Sequence, residues 1–143
     1  MNDDDDDLDR IIHNDIEYVH FMTLKAPPPL TLRQMMQRIN TSQEIQLLTK
    51  KEKSFLSIFG NQRDPVKFLE DEFFRFVMED GTEVRSDTFG EDNEGGWVGI
   101  HRFVGMFIIN ATRYGEGQDL FGPFGRQEEA EKVFEAAIVL YVP

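Results

Sequence analysis

The sequence predicts one α+β domain: an antiparallel sheet of four to five strands, with an N-terminal helical pair and a C-terminal helix packed on it. Three observations lead there. Apolar residues recur at helical spacing over residues 31–59 and again over 127–137. Between them the pattern shortens to that of strands, punctuated by glycine-containing turns. Helices grouped apart from strands favour an α+β arrangement over alternating units. At 143 residues the chain has the size of one domain, and folding buries roughly 68–70% of the extended surface. Thirteen Phe, one Trp and three Tyr supply bulky core material.

The elements follow in order. Asp3 to Asp7, with Asp9, repel one another, so residues 1–10 are expected to form a disordered acidic tail and residues 11–143 the domain. Ile16 to Leu24 is rich in β-branched and aromatic residues and suits a first strand. Pro27 to Pro29 then stiffen the chain. Thr31 is a candidate N-cap for a helix with Leu32, Met35, Met36 and Ile39 on one side, ending at Asn40. Thr41 and Glu44 have capping-box spacing for a second helix, in which Ile45, Leu48, Phe55, Leu56 and Phe59 form a stripe interrupted by the polar run 49–53. Gly60 and Asn61 stop it, and a tight corner joins the pair.

From Phe73 the sequence predicts strands. Phe73, Phe74, Phe76 and Val77, then Asp80-Gly81 and Val84, suit a β-hairpin around an Asp-Gly turn. Residues 87–96 form a polar, acidic loop. Trp97 to Thr112 is the most apolar strand material, with Phe103, Phe107 and Ile109 on one face and Val104, Met106 and Ile108 on the other. Such a strand is buried on both sides or bent at Gly105. The last helix runs from Gln127 to about Ala137 and buries Ala130, Val133, Phe134, Ala137 and Ile138. Residues 139–142 suit either a short strand or the end of that helix.

Charge is the most informative feature for function. Twenty-seven acids against fifteen bases give −12, a sign that repels nucleic acid and anionic membranes and favours a basic partner. The charge is segmented: residues 1–20 carry −7, residues 21–63 carry +5, and residues 64–94 carry −8. The basic stretch, with Lys50, Lys51 and Lys53 together, superficially suggests a helix-turn-helix. The rest of the chain opposes phosphate binding, so internal neutralisation of residues 64–94 is the preferred reading and direct nucleic-acid binding is disfavoured.

No motif carries recognisable catalysis or a cofactor. The five-aspartate run lacks the glycine turn and closing carboxylate of a calcium loop, and residues 91–95 lack EF-hand spacing. His13, His20 and His101 form no metal-binding pair, and His101 lies in an apolar strand, where a hydrogen-bonded structural histidine is commoner than a base. Absence of cysteine excludes disulfides and thiolate chemistry and suits a cytoplasmic protein. No apolar run approaches the roughly 18 residues of a membrane span.

The expectation is therefore an acidic protein-binding module, without enzymatic activity, cofactor or metal, that masks or inhibits a basic partner. An immunity-type or phage-encoded inhibitor of a toxin or nucleic-acid-processing protein is its most concrete form. Bacterial immunity proteins and secretion chaperones share this size and acidity, though no motif links them to the chain. Asp80, Glu83, Asp87, Glu91, Asp92 and Glu94 are the candidate docking acids, with Trp97 as the aromatic anchor. For Trp97 the competing expectation is simple burial at the start of a core strand. Two further classes remain: a secretion or assembly chaperone with an apolar groove, which predicts a homodimer, and a small enzyme built on carboxylates and His101.

Overall fold

Thr31 opens the first helix as the sequence predicts. Its hydroxyl accepts the Gln34 N–H at 3.2 Å while the Gln34 side chain accepts the Thr31 N–H at 2.9 Å. This reciprocal cap satisfies two amides that the helix itself cannot. In the computed structural model, which describes residues 28–42, 47–89, 95–113 and 117–141, helix α1 spans Leu32–Ser42. The expected strand at 16–24, the acidic tail and the Glu44 half of the expected capping box lie outside these residues.

The second helix begins later than predicted. Helix α2 spans Lys50–Gly60, and Thr49 is its N-cap, with Glu52 as the reciprocal partner. The polar run that interrupts the predicted stripe is in fact the helix start, because Thr49-x-x-Glu52 satisfies its first amides. Seven residues separate the two helices where a tight corner was expected, more than the 3–4 residue turn of a helix-turn-helix.

A larger departure follows. Helix α3 spans Pro65–Asp80, where the sequence suggested a hairpin. Asp64 accepts the Lys67 N–H at 3.1 Å and Pro65 occupies the first turn, a strong helix start. Leu69, Phe73 and Val77 then fall four apart and are buried. The aromatic cluster reads as strand by composition, but its spacing belongs to a helix. Gly81 closes α3, and a side chain there would bring Cβ to 2.4 Å from the Val77 carbonyl oxygen.

Four strands follow in simple succession: β1 (Thr82–Phe89), β2 (Gly96–Phe103), β3 (Met106–Arg113) and β4 (Gly117–Phe124). They form an antiparallel meander in the order β1-β2-β3-β4, so β1 and β4 are its edges among the described residues. The long apolar segment is thus two strands, since Val104 and Gly105 turn the chain between Phe103 and Met106. The reversal moves Phe103 to the same face as Met106 and Ile108, not that of Phe107 and Ile109. Helix α4 (Gln127–Tyr141) closes the chain, and its continuous span decides residues 139–141 in favour of helix.

The sheet is buried on both faces. Against one, α4 packs Ala130, Val133 and Phe134 on Val98, Ile100 and Ile109. Against the other, α1–α3 pack around Phe103, Val104, Met106 and Ile108. Phe55 is the hub of this second core: the rings of Phe73, Phe76 and Phe103 meet it edge-on, with centroids 6.2, 5.1 and 5.1 Å away. Edge-to-face pairs of this kind add about 0.5–1.5 kcal/mol each beyond burial.

The two layers are joined at the β2–β3 turn. Val104 and Gly105 both have positive φ, 48° and 72°, the signs of a type I′ turn. A valine rarely adopts that conformation. Here its side chain is fully buried, its N–H donates to Glu52 Oε2 at 2.5 Å, and its carbonyl accepts from Ser42 Oγ at 3.5 Å. Arg38 reaches the Gly105 carbonyl at 3.5 Å. Glu52 thus caps α2 with one oxygen and holds the turn with the other.

A stability prediction follows from that double role. Glu52→Ala removes the cap and leaves a buried amide unpaired, and should cost about 2–4 kcal/mol in urea unfolding. Glu52→Gln, which retains one acceptor oxygen, should cost clearly less. Equal losses for the two variants would show that the bridge to Val104 carries no weight.

Candidate protein-binding edge

The β1–β2 hairpin holds most of the residues that the sequence nominates. Its register pairs Glu83 with His101, slips by one residue between Glu83 and Arg85, and then pairs Arg85 with Ile100, Asp87 with Val98 and Thr88 with Trp97. The slip is a β-bulge, and it changes which side chains share a face. Glu83 shares the face of His101, on the side of α1–α3. Arg85 and Asp87 share the face of Ile100 and Val98, on the side of α4.

The candidate acids among the described residues therefore do not form one surface. Asp80, at the end of α3, pairs with Lys51 of α2 at 3.6 Å. Glu83 and Asp87 are both exposed but lie on opposite faces of the strand. Glu91, Asp92 and Glu94 fall in the connection from β1 to β2, outside the described residues. The register sets Thr88 beside Trp97 and turns Asp87 to the opposite face, both at the hairpin end from which that acidic connection departs.

Trp97 is neither free nor a core residue. It is half-buried and belongs to neither apolar cluster. Its ring covers Gly99, where an added Cβ would approach the indole to 2.8 Å. It also meets His101, with ring centroids 5.7 Å apart at a 51° tilt. The glycine makes room for the aromatic ring to lie along the sheet, which holds its orientation.

His101 finds the carboxylate neighbour that spacing alone could not name, because Glu83 is its cross-strand partner. Even so, burial of the ring lowers its pKa below the ordinary 6.5, outweighing the upward pull of Glu83. Nε2 is fully buried and meets no hydrogen-bond partner. A base needs its lone pair within reach of a substrate proton, and this nitrogen faces the interior. Among the described residues, no group of three or more His, Asp and Glu is placed to hold a metal ion. No helix among them is long and apolar enough to cross a membrane.

Arg85 has a role that the sequence reading missed. It lies 2.7 Å from Glu135 and 3.6 Å from Glu131 of α4, with its guanidinium carbon 4.3 Å from the centre of the Phe134 ring. The single cation of β1 is thus already matched, and the acids beside it are not. Only the bulge reveals this, since an unbroken alternation from Glu83 would place Arg85 on the other face. The basic stretch shows a similar economy. Among the described residues, Lys51–Asp80 is the one ion pair joining residues 21–63 to residues 64–94. Lys67, Arg75 and their acids pair within α3.

Comparison of the chain with protein families, curated proteins and solved structures finds no match.

The histidine gives a pH prediction. Because its folded pKa is depressed, the unfolded chain takes up the proton first as pH falls through 6.5. The stability it contributes is complete above that value and is lost below it. The melting temperature of His101→Phe relative to wild type should therefore rise as pH drops from about 7.5 to about 5.5. A difference independent of pH would show that the buried ring does not titrate with folding.

Proposed function

We propose that this protein is a binding module that occludes a basic protein partner, with the distal end of the β1–β2 hairpin as the docking surface. The observation that carries the reading is an imbalance on an exposed strand. Arg85, the only cation of β1, is matched by Glu131 and Glu135, while Asp87 is exposed with no cation within 4 Å among the described residues. The strand then runs into Glu91, Asp92 and Glu94. Uncompensated charge of one sign accelerates encounter with the opposite sign, and a pre-positioned aromatic slows departure.

The narrower form is an inhibitor of immunity or phage type acting on a toxin or nucleic-acid-processing protein. Its support is chemical: a protein that holds phosphate presents the cationic surface that this hairpin would cover. Trp97 would contribute an apolar contact on the other face of the same hairpin end, beside Thr88. Occlusion then requires no catalysis by this chain.

Immobilised wild-type protein, challenged with a lysate of the source cells at about 50 mM salt, should retain a discrete basic protein. Its association rate should fall on the order of tenfold by about 500 mM salt, where screening shortens to a few ångströms. Asp87→Lys should slow association, whereas Trp97→Ala should speed dissociation, by about 2 kcal/mol in affinity. Retention that is indifferent to both salt and Asp87→Lys would overturn the reading.

A further inference from the structure

Resting on that reading, we infer that β1 receives the partner as an added strand: an extended basic segment pairs with the open edge of the sheet. β1 is the first strand in the order, so among the described residues one side of its backbone faces no neighbouring strand. Among the described residues no backbone hydrogen bond reaches that side. The stretch after the bulge, from Arg85 to Phe89, is in unbroken register with β2, and Ser86, Asp87 and Thr88 are exposed. Regular geometry and an open row of amides and carbonyls are what strand addition requires.

The charges choose the occupant. A segment with lysines at alternate positions would set them beside Asp87 on one face. Its intervening residues would lie beside Ser86 and Thr88 on the other, near Trp97. A second copy of this chain would bring its own unmatched Asp87 to that edge, where a cationic strand brings the complement.

Defined peptides test this on the full chain. The probe is a capped eight-residue peptide of alternating Lys and Thr, followed by amide hydrogen exchange and chemical shifts along β1. Binding should slow exchange of β1 amides. Two N-methylated versions, blocked at odd or at even residues, keep the charge but each lose one row of donors. One should bind at least about tenfold more weakly and the other nearly normally, because only one row can face β1. If both methylated peptides bind like the parent, strand addition is wrong while the basic-partner reading stands. An alternating Glu-Thr peptide that binds as well as the Lys-Thr probe overturns both, and a Lys-Thr peptide that leaves β1 exchange unchanged overturns strand addition.

Discussion

One buried carboxylate holds the two halves of this molecule in register. Glu52 sits at the third position of α2, where its acceptor oxygens complete the cap with Thr49 and reach the backbone of Val104. A helix start is an attractive place for a negative charge, and this one is flanked by Lys50, Lys51 and Lys53, which the helix dipole alone would disfavour. The turn it grips is itself strained, at a cost of order 1–3 kcal/mol for a non-glycine residue in that backbone region. Burial of the valine side chain returns a comparable roughly 1.5–3 kcal/mol. Without the bonds from Glu52 and Ser42, the buried amide and carbonyl of Val104 would tip that balance the wrong way.

The position of this clamp has a consequence for the rest of the sheet. It fastens the end of the β2–β3 hairpin to the helical layer, and the Phe55 cluster fills the space around it. Phe103 at that end is fully buried, whereas Trp97, six residues back along β2, is only half-covered. On the other face, α4 supports Val98 and Ile100 and reaches β1 through Arg85. The distal hairpin is thereby backed by a packed layer while its outer strand stays open. Preorganisation of that sort lowers the ordering cost that any docking event must meet.

Periodicity made the layers legible, and register made the site illegible. Helix α4 was readable because Ala130, Val133, Phe134 and Ala137 recur at an unambiguous spacing. Helix α3 was misread because Phe73, Phe74, Phe76 and Val77 satisfy a strand by composition, and the deciding signal, Asp64-Pro65, stands eight residues upstream. Once that helix is taken for a strand, the true β1 is shifted and its pairing with β2 cannot be derived. The bulge after Glu83 adds a second obstacle, since a one-residue slip moves each later side chain to the opposite face. The half-burial of Trp97 depends on Gly99 two residues on, and nothing in a sequence says which of several glycines lies beneath a ring.

Charge on an edge strand has a second explanation, protection against unwanted pairing, and it bears on the same residues. Glu83, Arg85 and Asp87 would serve that purpose adequately. Protection, however, asks only for charge. It does not require that Arg85 be drawn onto two glutamates of α4. Nor does it explain an indole laid over a glycine beside Thr88, since exposed aromatic surface near an open strand invites association. Solubility accounts for the acids taken separately; the proposed docking edge would account for the acids, the diverted arginine and the tryptophan together.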